Sequence, residues 1–147
     1  MSETISPPVI AGAEFHVPEA ALAADADAAT EVAAAFDRAR QTGKRVLLVL
    51  GGDWCPDFRT MIGIFRLPVV AAFRDRHFET VFVNIGRYDA NMDIPAAHGL
   101  PAFDGVPTLM VLDAVGTLLN ASEPSVLRNV RDRDPQDIAD YLAKYAG

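Results

Sequence analysis

The apolar positions of this chain fall into two kinds of run. "KRVLLVLGG" holds an unbroken apolar core from Val46 to Leu50, which reads as a strand buried on both faces and therefore central in its sheet. "HFETVFVNIG" reads as a second strand, and "VPTLMVLDAVGTLLNA" as two more around a turn at Ala114 to Gly116. Between them the period is helical. "ADAATEVAAAFDRARQTG", from about Ala26, is alanine-rich, carries Val32, Phe36 and Ala39 on one face and stops at Gly43. "DFRTMIGIF" suits a helix that Pro68 ends, or after which Pro68 opens the next one, "PVVAAFRDR". "YDANMDIPAAHG" reads as loop and short helix. In "DPQDIADYLAKYAG" Asp134 can cap, Pro135 can take the first helical position, and Ile138, Leu142 and Tyr145 share one side. The predicted order, α-β-α-α-β-α-β-β-α, is that of an α/β layered domain on one mixed sheet.

Ahead of it, "SPPVIAGAEFHVPEA" is rich in Pro and Gly without a sustained period. Residues 1–25 are therefore expected to be an extended, partly mobile lead-in and residues 26–147 the domain. Composition narrows the function classes. The net charge of -7 provides no basic patch for a phosphate backbone, so neither nucleic acid nor an anionic membrane is expected as partner. No apolar run approaches a spanning helix, and the N-terminus lacks the pattern of a secretory leader. Cytoplasm is the expected compartment, or periplasm if a leader has been removed. One cysteine among 147 residues excludes an intrachain disulfide and a multi-cysteine zinc site, so Cys55 must act with a partner from outside the chain.

That cysteine stands in "GGDWCPDFRT", where a buried strand empties through Gly51 and Gly52 into a helix. The sulfur then sits beside unpaired N–H groups and the positive end of the helix dipole, an environment that favours the nucleophilic thiolate. Pro56 fits a first turn, where a missing N–H is harmless. Asp53 and Asp57 oppose the thiolate, and Arg59 partly offsets them.

Three separated pieces, "VLLVLGGDWCPDF", "HFETVFVNIGRYD" and "GVPTLMVLD", give the chain a resemblance, over about residues 30–146, to the thioredoxin-like superfamily. It most resembles bacterial disulfide-isomerase-related proteins with a W-C-x-x-C site. The resemblance implies a thioredoxin fold, a central mixed β-sheet flanked by helices on both faces. It also implies that Trp54 precedes a nucleophilic Cys55, that Val106–Pro107 is a cis bond facing the sulfur, and that Trp54, Pro56, Val106 and Pro107 contact substrate. Two positions depart from the pattern: Phe58 replaces the resolving cysteine, and Val49 stands where many thioredoxins keep a buried acid. Both losses fall on the second half of the reaction, so Cys55 is expected to form a mixed disulfide that only an outside thiol can release.

The resemblance thus implies monothiol thiol–disulfide exchange, with protein thiols or disulfides as partners and glutathione as a possible co-substrate, and no other cofactor. A monomer is expected, with a Cys55-linked dimer on oxidation. The alternative is a redox-inactive binding module that holds a polypeptide in the same groove, Phe58 then closing over the sulfur or packing in the core. His98 could reach Cys55 as a base, but a packed helix-end histidine is the plainer reading, and His16 and His77 have no ligand spacing. "DANMD" imitates the start of a calcium loop but lacks its glycine and its bidentate acid, so it reads as a solvated turn, and no metal is expected. "NAS" at Asn120 matches a glycosylation sequon of no weight by itself.

Overall fold

The computed structural model describes residues 4–23 and 26–147. Helix α1 (Ala28–Thr42) begins at Asp27, whose carboxylate accepts from the Thr30 N–H (3.2 Å), and ends where the Gly43 N–H donates to Ala39 O (2.8 Å). Its apolar face, Val32, Ala35, Phe36 and Ala39, is buried. Strand β1 (Arg45–Gly51) follows, and every side chain from Val46 to Leu50 is inaccessible to solvent, so both faces of this strand are covered. Helix α2 (Pro56–Phe65) and helix α3 (Pro68–His77) each start on a proline, so Pro68 opens a new helix. Strand β2 (Phe78–Asn84), the short helix α4 (Asp93–Ala97), strand β3 (Thr108–Leu112), a 3-10 turn (Val130–Asp132) and helix α5 (Gln136–Tyr145) complete the order.

The sheet is mixed, with β1 between a parallel β2 and an antiparallel β3. Its register places the site. Gly51 pairs with Asn84 at the C-terminal end of β2, and Leu50 pairs with Thr108 at the N-terminal end of β3. Because β3 runs backwards, the residues just before it lie beside those just after β1 and β2. Gly52–Cys55, Ile85–Tyr88 and Gly105–Pro107 therefore converge at one edge.

The expected fourth strand does not form. After the turn at Asp113–Thr117 only an isolated bridge, Leu112 to Leu118, joins this stretch to β3. The Asn120 side chain takes over the pairing instead: its Oδ1 accepts from the Val111 N–H (2.9 Å) and its Nδ2 donates to Leu109 O (2.7 Å) and Tyr141 Oη (2.6 Å). A carboxamide offers the same donor and acceptor as a peptide group, so one buried side chain supplies much of what a strand would. Asn120 is wholly buried, and its sequon is closed to any modifying enzyme in the folded chain.

α5 begins one residue later than expected. The Asp134 carboxylate does cap, accepting from the Gln136 N–H (2.9 Å), and Pro135 already has helical dihedrals. Residues 4–23 contain no helix or strand but lie on the domain at three places. Ile10 is buried, its N–H donating to Gln136 Oε1 (2.9 Å), while Gln136 Nε2 donates to Pro8 O (2.9 Å). The His16 carbonyl crosses α2 directly over Gly63, where any β-carbon would overlap it. The Ala21 and Leu22 N–H groups donate to the Asp53 carboxylate (2.8 and 3.4 Å). The first three residues, and residues 24 and 25, lie outside the described part of the chain.

Candidate functional site

Cys55 is the N-cap of α2, in an extended conformation, with Pro56 opening the helix after it. The Cys55 N–H closes a turn onto Gly52 O (3.0 Å), and its carbonyl accepts the first helical bond, from the Arg59 N–H (3.1 Å). The sulfur thus stands at the mouth of a ten-residue helix whose first N–H groups have no intrahelical acceptor. It is 7 % exposed and lies 3.7 Å from Val106 O, to which the thiol donates. The Val106–Pro107 bond is cis. Behind it Thr108 Oγ1 donates to Gly105 O (2.5 Å) and shares a hydrogen bond with Ser125 Oγ (2.6 Å), which fixes the loop from inside.

Trp54 points the other way. Its indole is 37 % exposed, its Nε1–H donates to Gly86 O (2.6 Å), and the Arg87 guanidinium lies over the ring at 5.1 Å. Tyr88, exposed and held at a φ of 65°, approaches Trp54 on one side and Phe103 on the other, each at 6.1 Å between ring centroids. Three loops that the sheet register brings together thus carry an aromatic strip beside the sulfur. An exposed tyrosine in the left-handed region is uncommon and marks a conformation that its surroundings impose.

Phe58 is fully buried and makes no part of that surface. Its ring lies against the Cα of Gly51, so close that a β-carbon there would overlap it. Position 58, where the resemblance implies a resolving cysteine, holds a core side chain under the turn, and glycine is required at the end of β1 to admit it. Val49 is likewise buried in the core.

The carboxylates beside Cys55 are both engaged. Asp53 accepts from the Ala21 and Leu22 N–H groups, and Asp57 Oδ1 accepts from the Arg131 N–H (3.0 Å) and Nε (3.1 Å). Among the described residues Arg59 has no such partner.

His98 closes α4 and stacks on Phe36, 5.2 Å between ring centroids; burial holds its imidazole below the ordinary histidine value. It is a packing histidine, and its ring is committed to α1. His77 packs on Phe73 (4.5 Å), and His16 contributes its carbonyl over Gly63. In the calcium-like stretch, Asp89 Oδ1 accepts from the Arg87 N–H (3.0 Å) and Asn91 Nδ2 donates to Asn84 O (2.7 Å), so these groups close their own loop. Among the described residues no group of His, Cys, Asp and Glu could hold a metal ion, and no helix is long and apolar enough to cross a membrane.

Several residues of the site escape a reading of the sequence. Thr108 is visible in "GVPT", but its partner Ser125 lies 17 residues on, and Arg131 lies 74 residues from Asp57. Neither separation carries a local signal. A groove of about 560 Å³ runs elsewhere, between the lead-in, α1 and β2; it includes none of Trp54, Cys55, Val106 and Pro107, and it offers no nucleophilic thiol.

A family profile described as thioredoxin-like matches residues 27–114, more than half of the chain. The chain belongs to the thioredoxin-like family. A crystal structure of a disulphide isomerase from Xylella fastidiosa Temecula1 is similar, with 33 % identity and a TM-score of 0.79 over 85 % of this chain and 95 % of that one. The C-terminal domain of Neisseria meningitidis DsbD in its oxidised form has 22 % identity and a TM-score of 0.49, over 64 % of this chain and 80 % of that one. A thioredoxin from Thermus thermophilus has 19 % identity and a TM-score of 0.46, over 68 % of this chain and 83 % of that one. No curated protein matches. This thioredoxin-like protein therefore has the α/β fold of the family, with a mixed sheet flanked by helices, and is related to disulfide isomerases.

Proposed function

We propose that this protein carries out monothiol thiol–disulfide exchange through Cys55. The observation that carries the reading is the placement of the chain's single thiol at the N-terminus of α2, against the Val106–Pro107 segment. The Cys55 thiolate attacks a substrate disulfide; one new S–S bond forms to Cys55, the substrate bond breaks, and the departing sulfur leaves as thiolate. With Phe58 in the core, no second thiol of the chain can attack that mixed disulfide. Glutathione, or a second substrate thiol, resolves it, returning Cys55 as thiolate and carrying away the other sulfur as a disulfide.

Among the described residues the Val106 N–H makes no hydrogen bond, and an extended chain laid along Gly105–Pro107 can accept it. Pro56 and Trp54 border the same approach. The partners proposed are protein thiols and disulfides, with glutathione as co-substrate, in a compartment that supplies that thiol, taken here as the cytoplasm. The chain is proposed to be monomeric, with a Cys55-linked dimer on oxidation.

The 7 % exposure of Cys55 favours a second reading, a redox-inactive module that holds a polypeptide along the same segment. One experiment separates them: mass spectrometry of the folded protein with glutathione disulfide, beside an insulin-reduction assay. Exchange predicts one glutathione on Cys55, released by reduced glutathione, and no insulin reduction by a dithiol-dependent reductase alone. A folded protein that takes up no adduct is the binding module.

A further inference from the structure

The charge around Cys55 runs against that of the chain as a whole. The protein carries a net charge of -7, yet the two acids that flank Cys55 in the sequence are engaged within the chain: Asp53 accepts from two N–H groups of the lead-in and Asp57 pairs with Arg131. Asp89 Oδ1 accepts from the Arg87 N–H, closing its own turn. Asp104 shares a cavity with Arg128 without an ion pair between them; Arg128 lies beside Gly105 and donates to Ser125 O (3.2 Å). Around the site Arg59, Arg87 and Arg128 have no carboxylate within ion-pair distance among the described residues. Arg87 lies over the exposed Trp54 ring, and Arg59 is one helical turn beyond Cys55. Arg59 Nε is buried without an acceptor. The other such nitrogen, Arg74 Nε, belongs to a guanidinium set over the Phe65 and Phe82 rings (5.0 and 5.8 Å), whose π faces answer its charge. Among the described residues no carboxylate or ring answers that of Arg59.

We propose that the surface around Cys55 receives an acidic polypeptide segment, whose carboxylates meet Arg59 and Arg87 while its disulfide sulfur meets Cys55. The proposal rests on the exchange reading above and names its substrate class. The lead-in belongs to this surface, since its Ala21 and Leu22 N–H groups offset the one carboxylate that precedes Trp54 and would repel such a segment. The same arrangement disfavours basic segments, because the cation-binding face of Trp54 is already occupied by Arg87.

The test uses two peptides that differ only in the residues flanking their single cysteine, acidic in one and basic in the other, each activated as a 2-pyridyl disulfide. Attack by the Cys55 thiolate forms the Cys55–peptide disulfide, breaks the bond to the pyridyl sulfur and releases pyridine-2-thiolate, whose absorbance gives the rate. The acidic peptide should react about tenfold faster at low ionic strength. The advantage should fade toward parity near about 0.5 M salt. Arg87→Ser and Arg59→Ser should each lower the ratio of the two rates. Equal rates with both peptides, or a ratio that neither substitution moves, would overturn the acidic-segment proposal and leave exchange standing. Absence of reaction with either peptide overturns both.

Discussion

Cys55 and Asn120 are both polar side chains set into the apolar body of the domain, and they are held in opposite ways. Asn120 spends its carboxamide on Val111, Leu109 and Tyr141, and the Tyr141 hydroxyl in turn donates to Glu123 O (2.9 Å). Burial, the largest influence on Tyr141, pushes its phenol well above the ordinary tyrosine range, so that hydroxyl stays protonated. Cys55 makes one weak contact, to Val106 O. A thiol asks little of its surroundings, so it tolerates near-burial without partners and stays free to react, whereas an amide so placed must be fully bonded. The number of committed partners, rather than burial, separates the candidate reactive group from the structural one.

Removing the committed group should have the largest effect. Asn120→Ala strands the Val111 N–H and the Leu109 carbonyl in the core, and at about 1–3 kcal/mol for each orphaned group it should lower stability by about 2–6 kcal/mol in urea unfolding. A loss below about 1 kcal/mol would mean that water or a rearranged strand replaces the carboxamide as easily as solvent replaces a surface group.

Phe58→Cys is next. The lost ring under Gly51 should destabilise the domain by about 3 kcal/mol, and the new thiol stands one helical turn from Cys55. The folded variant should lose both free thiols on mild oxidation, counted by mass after alkylation, and gain some dithiol reductase activity. A folded variant that keeps two free thiols would show that this turn no longer has the geometry for exchange.

Cys55→Ser should be far milder, within about 1 kcal/mol of the parent, because the hydroxyl inherits the single bond to Val106 O. It should abolish glutathione uptake and peptide exchange. A large loss of stability would move Cys55 into the same class as Asn120.

The smallest effect concerns pH. Burial holds folded His98 below the value it has in the unfolded chain, so protonation favours unfolding. Its contribution is complete above the ordinary histidine range, about pH 6.5, and is lost as pH falls from there through the lowered folded value. His98→Gln should flatten that part of the stability–pH curve. His77, shifted the same way first by burial and then by Arg76, should keep some slope, and an unchanged curve would assign all of it to His77.

The fold was legible wherever the signal is local. The β1 run, the two prolines that open α2 and α3 and the stop at Gly43 are each encoded within a few residues. The misread element is instructive. "TLLNA" has the apolar pattern of a strand, and pattern alone cannot show that a side chain further along will pair with β3 first. The docking of residues 4–23 was not legible, because their attachments to Gln136, Gly63 and Asp53 depend on groups far away in the chain. Cys55 and Trp54 announce themselves in sequence, while Arg131, Ser125, Tyr88 and Phe103 do not.

By itself, then, the sequence determined that one sulfur stands at a helix start after a buried strand, and that no second thiol exists to resolve what it forms. These follow from local period and from composition, which need no knowledge of neighbours. Only the tertiary structure decided that β3 runs backwards and brings Val106 to the sulfur, that Phe58 lies under Gly51, and that Asp53 and Asp57 are engaged within the chain while, among the described residues, no carboxylate meets Arg59 or Arg87. Charge and contact act through space, and the chain distances they bridge here are set by the register of three strands.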